Sequence, residues 1–483
     1  MNIARLRRRL ILPRLTAWRG FVLLLLFTLA SEYWNKNALT IPGGIQVPWP
    51  YFMLPLLLLP LLLPARDRRW SAVLCLPGPV APMLLFWGAC CLSIVSLALS
   101  PASDLVQFLK TLVHLTMYVV FVCVVVKWIT WPRLWLLVRS YYALGIAAAV
   151  LSVLQMLHGG LGLFPWLAPL MFQSGEYKVG QELTTGFRAS SFFGEPSWAA
   201  RYYVHYVALA IVFWSQTGRR RHLVALALFT VAFYAANSLL GYVILGTFLL
   251  ATGIAQMWRH SMFTLGRRQR FVLGAGAYVF FMLWLVEALP EWPDLIDRSI
   301  ERVGLVIQGG GGAGNRIDSV FAGLEVWKLA PVFGVGLGNI DRYIVPFYQD
   351  PAWVIRSQYA SDSLYVQILA ETGIPGLLAF LWFWGRLLWF SSFSGSSSTN
   401  HPEAARAYGW MRFLQLDLFA QAVGMVNASD YLNPHLWTVV AMVLACKVVI
   451  IRATRAEPET SSLHGYGAAP APRLAFCPAS GNP

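Results

Sequence analysis

The sequence predicts an all-α polytopic membrane protein of about twelve transmembrane helices, with one large polar loop between the ninth and tenth. Three observations carry this reading. Hydrophobic residues make up 57% of the 483-residue chain and charged residues only 12%, against about 25% charged in soluble domains. Apolar runs long enough to span a bilayer recur along the chain. The basic residues, which give a formal net charge of +15, collect in short segments between those runs. That is the pattern of cytoplasmic loops, and not the stripe of a nucleic-acid binder, so no nucleic-acid partner is expected.

Taken in order, the spans check themselves against charge. The first, about 17–33, follows Arg5, Arg7, Arg8, Arg9 and Arg14 and has no convincing cleavage site, so it reads as an uncleaved span with its N-terminus inside. The second, about 49–64, ends at the basic cluster 66–69. Spans three (81–99) and four (106–127) enclose a short outer turn at 101–104, and span five (136–157) leads to an outer segment, 158–199, rich in Gly, Pro and aromatics. Span six (201–216) returns to the basic cluster 219–221. The apolar run 223–258 is too long for one span and has basic residues at both ends, so it predicts a hairpin of two turning near Asn237-Ser238. Span nine (271–289) follows a third basic cluster at 267–270 and leads out to the loop 290–361. Spans ten (363–390), eleven (410–427) and twelve (434–451) complete the set, with a Ser-rich cytoplasmic linker after the tenth.

This divides the chain into a membrane domain 1–289, an outer loop 290–361, a second membrane domain 362–452, and a tail 453–483 whose Ala, Pro and Ser predict a disordered cytoplasmic end. The six cysteines have no metal-ligand spacing, and adjacent Cys90-Cys91 read as small apolar helix residues. No HExxH, P-loop or DxD-like motif occurs, so no metal or other cofactor is expected.

The chemistry-bearing residues fall in the two outer segments. In the first, Arg188, Glu195 and Arg201 stand close together, with Gly194 and Pro196 around the glutamate. The second holds Arg316, Asp318, Arg342, Asp350, Arg356 and Asp362. Arginines at a membrane surface suit a phosphate-bearing substrate, because the guanidinium fork matches phosphate oxygens bidentately. A carboxylate among them can take a proton from an attacking hydroxyl. Plainer readings stand beside these: Arg298, Glu301 and Arg302 are solvated; Arg316 and Asp318 start a helix; Glu195 and Asp362 cap helices. Within the spans, Lys110, His114, His205 and Asp417 are ionisable groups where such groups are expensive. Lys110 and His114 share a helix face and are able to snorkel, and Asp430 reads as part of a structural outer turn.

Three stretches resemble the O-antigen ligase and polymerase family of bacterial envelopes: RASSFFGEPSWAA (188–200), GNRIDSVFAGLEVWKLAPVFGVGLGN (314–339) and SDSLYVQILAETGIPGL (361–377). The resemblance implies glycosyl transfer from undecaprenyl diphosphate at the periplasmic face, by a multi-span protein with a large periplasmic loop in its second half. It implies that Arg188 lies where the family holds the lipid diphosphate and that Arg316 matches the arginine opening the second motif. Three departures lean toward a polysaccharide polymerase of the Wzy type, for exopolysaccharide or O-antigen. Asp362-Ser363 stands where ligases usually carry His-Asn. Gly194-Glu195-Pro196-Ser197 replaces the Gly-Asn-Pro-Asn of ligases, and the segment ANSLLGY (236–242) lacks the arginine that many ligases have there.

The expected partners are therefore an undecaprenyl-diphosphate-linked glycan donor and acceptor and the membrane lipid of the bacterial inner membrane, with a chain-length regulator and a flippase as further candidates. The expected site comprises Asp362 and Glu195 as carboxylates and Arg188, Arg316, Arg201 and Arg342 on the diphosphate. A ligase moving glycan onto lipid A–core is the nearest alternative. A glycolipid transporter is the more distant one, since transporters concentrate polar groups at broken midplane helices.

Overall fold

The structure is a computed structural model that describes residues 18–30, 39–41, 45–47, 78–99, 102–161, 163, 188–193, 195–258, 312–348, 361–389, 402–427 and 432–455. The expected spans at 49–64 and 271–289, the tail beyond 455, and Arg298, Glu301, Arg302, Asp350, Arg356 and Asp430 lie outside them. Among the described residues the chain is helical almost throughout. The exception is a short antiparallel pair, β1 (Leu39–Ile41) and β2 (Ile45–Val47), with Leu39 opposite Val47. It falls in the stretch between the first two expected spans, where the sequence reading placed no strand.

The helices are α1 (Trp18–Ala30), α2 (Ala81–Leu92), α3 (Val95–Leu99), α4 (Leu105–Trp128), α5 (Trp131–Leu161), α6 (Pro196–Thr217), α7 (Arg220–Ala236), α8 (Leu239–Trp258), α9 (Gly312–Leu329), α10 (Ile340–Ile344), α11 (Leu364–Leu388), α12 (Pro402–Gly424) and α13 (Pro434–Arg455). Five described segments are long and apolar enough to cross a membrane: Ala81–Ala98, Leu105–Trp128, Trp131–His158, Leu364–Leu388 and Pro434–Ala453. Trp18–Ala30 and Leu240–Gly253 are apolar but shorter. Helices α6 and α12 occupy expected spans yet fall outside that set, because Arg201 and His205 in the one and Arg406, Arg412 and Asp417 in the other dilute their apolar character.

Several boundaries follow the sequence and others correct it. The hairpin turns where the two-span reading put it: Asn237 takes the left-handed conformation (φ 39°, ψ 65°) between α7 and α8. Asn tolerates that region better than most side chains. The third expected span is broken, with Ser93 ending α2 and its hydroxyl donating to the Cys90 carbonyl. The eleventh begins earlier than expected, at Pro402. The run Pro402-Glu403 is itself a helix start, with proline in the first turn and a carboxylate near the positive end of the dipole. The serines just before it masked that signal.

The core is centred on α6, which is buried without interruption from Ala199 to Phe213. A helix buried on every side is a central one. Its neighbours approach closely: a Cβ at Gly145 of α5 would lie 2.4 Å from the Tyr206 ring, and one at Gly241 of α8 would lie 2.5 Å from Ala200. Close backbone approach at small residues is the usual way helices associate where no water drives them together.

One end of the bundle is basic, and its cations cap helices. Lys447, only 4% exposed, donates to the carbonyls of Arg386, Leu387 and Trp389 at the end of α11. Arg452 donates to the Ile129 and Lys127 carbonyls at the end of α4, and Arg133 to that of Trp128. Positive groups at helix C-termini satisfy carbonyls left without partners and complement the dipole. The exposed Arg219, Arg220 and Arg221 begin the next hairpin just after α6 ends.

Candidate functional site

At the opposite end, two of the singled-out stretches fold into one unit. Pro375 lies inside α11, so no amide at 375 bonds the Glu371 carbonyl. Gly373 breaks the helix just before it, at φ 68°, ψ −168°. The Ile374 amide turns away to the Pro331 carbonyl, which releases the Ala370 carbonyl as well. Both released carbonyls are taken by the glycine loop: Val335 N donates to Ala370 O at 2.8 Å and Gly336 N to Glu371 O at 3.0 Å. The fit leaves no room for side chains at Gly334 (φ +71°), whose Cβ would lie 2.3 Å from the Glu371 carbonyl carbon, or at Gly373, whose Cβ would lie 2.0 Å from Val332 O.

The other face of this loop is pinned to α2–α4. Leu337 N donates to Ser93 Oγ, Ser96 Oγ to Phe333 O, and Ser103 Oγ to Val335 O. Asn339 Oδ1 accepts from Asp104 N at 2.7 Å. Asp104 caps α4 by accepting from the Val106 and Gln107 amides, and its carboxylate pairs with Arg342. Arg342 is more than half exposed where it pairs with Asp104.

The third stretch docks on the hairpin. Arg188 Nε donates to the Ala236 carbonyl at 3.2 Å and Ala189 N to that of Ala235 at 2.9 Å. Gln155 of α5 holds the next turn, its Oε1 accepting from the Ser190 and Ser191 amides and its Nε2 donating to Ser191 O. Glu195 sits at the N-cap position of α6 ahead of Pro196, but its carboxylate makes no cap bond and instead accepts from Ser197 Oγ at 3.0 Å.

One turn into α6, Arg201 is 3% exposed. Its Nε donates to Gln421 Oε1 of α12 at 3.4 Å, and no carboxylate pairs with it among the described residues. Gln421 Nε2 donates in turn to the Arg201 carbonyl and to Asp417 Oδ1. Asp417, wholly buried, accepts through Oδ2 from Nδ1 of His205, itself 1% exposed. Four polar side chains on two helices thus form one chain, His205–Asp417–Gln421–Arg201.

Asp362, 6% exposed, stands just before α11, whose N-cap is Ser363. Its Oδ2 accepts from Ser319 Oγ of α9 at 3.3 Å, and its amide donates to that same oxygen at 3.0 Å. Tyr348 is hydrogen-bonded to Ser319 as well. Burial pushes the Tyr348 phenol up to about 12, with the Asp362, Asp318 and Asp341 charges adding to the rise and the Ser319 bond opposing it. It is therefore a neutral hydroxyl at any ordinary pH.

The two polar groups are linked through α12. Tyr365 Oη, one turn into α11 from Asp362, donates to the Ala422 carbonyl at 2.7 Å, beside Gln421. Gly424 packs on Ile244, and Gly241 on Ala200, which brings the hairpin on which Arg188 docks to the same end. Arg188, Glu195, Arg201 and Asp362 accordingly share that end of the bundle, and Arg342 sits at its edge. Arg316 lies on α9 one turn before Ser319; its side chain is outside the described set. The sequence reading missed Gln421, Ser319 and the role of Tyr348. It flagged His205 and Asp417 separately as intramembrane ionisable groups, and a complementary pair of that kind is itself a signal of interhelical contact.

Residues 223–381 match the family model described as O-antigen ligase. The match covers the second and third motif stretches, with Arg316, Arg342 and Asp362, and leaves Arg188, Glu195, Arg201, Asp417 and Gln421 outside. No curated protein matches the chain.

Proposed function

We propose that this membrane protein, whose residues 223–381 match the family model described as O-antigen ligase, polymerises lipid-linked oligosaccharide repeat units, taking the growing glycan from undecaprenyl diphosphate at the periplasmic face of the inner membrane. The observation that carries the reading is Arg201: a guanidinium 3% exposed, at the end of the bundle opposite the basic one, with no carboxylate paired to it among the described residues. Burying such a charge without an ion pair costs on the order of several kcal/mol. A diphosphate supplies the missing anion in the planar, bidentate form that arginine fits best. Arg188, on the adjoining loop, faces the same chemistry, and Arg316 is the third arginine of the proposed set.

The reaction is a displacement at the anomeric carbon. The acceptor hydroxyl oxygen forms the new glycosidic bond as the bond to the diphosphate oxygen breaks, and the electron pair leaves on the diphosphate. Asp362 takes the hydroxyl proton, and Glu195 is the second carboxylate available for that task. The arginines stabilise charge as it develops on the leaving group, in a site poor in water, where such stabilisation is strongest.

A second reading, compatible with the O-antigen ligase description, is transfer of finished glycan onto lipid A–core. The glycolipid profile of a deletion strain separates the two. Single repeat units accumulating on the carrier identify a polymerase. Full-length polymer that fails to reach lipid A identifies a ligase, and an unchanged profile overturns both.

A further inference from the structure

We infer that Gln421 is a positioning residue for phosphate binding: held by the Asp417–His205 pair, it fixes the plane of the Arg201 guanidinium toward a diphosphate. The inference rests on the proposed function and adds to it the part of the chain that aims the arginine. A side-chain amide has a donor end and an acceptor end, and the two orientations are of similar shape. Here the neighbours dictate one of them. Gln421 Nε2 lies 3.2 Å from the Arg201 carbonyl and 3.4 Å from Asp417 Oδ1, two acceptors, so the donor end must face them. That leaves Oε1 toward Arg201 Nε, a donor. The reversed amide would set a donor against a donor and an acceptor against two acceptors.

Asp417 holds this orientation because its other oxygen is taken by His205 Nδ1. Every member is nearly sealed from solvent: Gln421 1%, His205 1%, Asp417 0% and Arg201 3% exposed. Among the described residues only Nε is engaged, which leaves the two terminal guanidinium nitrogens, the pair that grips phosphate bidentately, for a ligand. Had a carboxylate stood where Gln421 does, it would have neutralised Arg201 and competed for the same fork. An amide orients the guanidinium without discharging it. That distinction separates a positioning role from simple neutralisation of the buried charge, for which a carboxylate would serve.

The test compares Gln421→Leu and Gln421→Glu with the parent, purified in detergent, using undecaprenyl diphosphate as the titrated probe and undecaprenyl monophosphate as the control. Gln421→Leu should weaken diphosphate binding about tenfold, the scale of one hydrogen bond to a charged group. Gln421→Glu, which neutralises the guanidinium and has no donor for the Arg201 carbonyl or Asp417, should weaken it at least as much. Diphosphate binding at parent strength by a folded Gln421→Glu overturns the inference. Monophosphate binding as tight as diphosphate in the parent overturns the diphosphate as the ligand aimed at, since the second phosphate then contributes nothing. Arg201→Ala separates this inference from the function beneath it. If Arg201→Ala binds diphosphate normally, the functional reading fails. If only Arg201→Ala loses binding and both Gln421 variants keep it, the positioning role alone fails. Should Gln421→Leu unfold, Gln421→Asn, which keeps the amide but shortens its reach, gives the same comparison.

Discussion

The amide of Gly336 donates to the carbonyl of Glu371 at 3.0 Å, and that carbonyl is the one Pro375 leaves without a helical partner. Two segments that read in sequence as separate signatures, GVGLGN and ETGIPGL, are therefore donor and acceptor of one joint. The glycines provide amides and left-handed turns; the proline and Gly373 provide freed carbonyls. What the joint fixes is the start of α11, and with it Asp362 and Ser363.

The joint predicts where the chain tolerates least. At φ +71°, alanine at position 334 carries about 1–2 kcal/mol of backbone strain. Its Cβ would also sit 2.3 Å from the Glu371 carbonyl carbon, which is backbone and has nowhere to rotate. Gly334→Ala should thus lower the thermal unfolding midpoint in detergent clearly. Gly88→Ala, inside α2 where a Cβ meets nothing within 4 Å, should leave it unchanged or raise it. Equal midpoints for the two variants would refute the joint.

At the basic end, Lys447 satisfies three carbonyls of the α11 terminus with one buried ammonium. Lys447→Met keeps the stem and removes the donors, leaving acceptors buried at about 1–3 kcal/mol. The expected result is reduced stability with the site's chemistry intact: less protein per cell, and normal polymer per molecule when the two are measured together. A loss of activity at full protein level would assign Lys447 a different role.

Orientation is open to direct measurement. If the basic clusters are cytoplasmic, α9 is periplasmic, and its exposed Glu325 is on the opposite side from the exposed Arg220. In a background without cysteine, Glu325→Cys should react with a membrane-impermeant maleimide in whole cells whose outer membrane is permeable. Arg220→Cys should react only after the inner membrane is opened. The reverse pattern inverts the proposed topology and moves the site to the cytoplasm.

The arginines predict a substitution that keeps charge and still fails. Arg188→Lys keeps the cation but loses both the Nε bond to Ala236 and the fork. Polymer yield should fall by about tenfold or more at normal protein level, on the scale of one charge-assisted hydrogen bond. Wild-type yield from Arg188→Lys would remove it from the phosphate set.

What the sequence revealed depended on the range of the signal. The hairpin at Asn237 was legible because basic residues flank an apolar run too long for one span, and both facts are local. Arg188, Glu195 and Arg201 were legible as a group because they fall within fourteen residues of chain, 188–201. The partners that give them meaning are not local: Gln421 lies 220 residues from Arg201, and Ser319 lies 43 from Asp362. Nothing in the intervening composition announces either contact. The early start of α12 was readable in principle, since Pro402-Glu403 is a helix-opening pair. A neighbouring serine tract outweighed it. The pairing of Arg342 with Asp104, 238 residues away in the chain, was equally illegible.

The sharpest remaining question is whether Asp362 carries a proton or only holds a turn. The structure narrows the bland alternative: the N-cap of α11 is Ser363, and Asp362 instead exchanges hydrogen bonds with Ser319, its amide donating to Oγ and its Oδ2 accepting from it. Asparagine preserves both, since the backbone amide is unchanged and the side-chain carbonyl still accepts from a hydroxyl. Asp362→Asn should therefore fold like the parent, with an unfolding midpoint close to the parent's. A general base needs a group able to take the proton, which an amide cannot, so activity should fall by about a hundredfold or more. Ser319→Ala makes the complementary case: it leaves the carboxylate but removes its partner, and should cost activity less than Asp362→Asn does. Normal polymer from a well-folded Asp362→Asn would return the residue to structure. Glu195, whose carboxylate is held only by the Ser197 hydroxyl among the described residues and is free of capping duty, would then be the base to test.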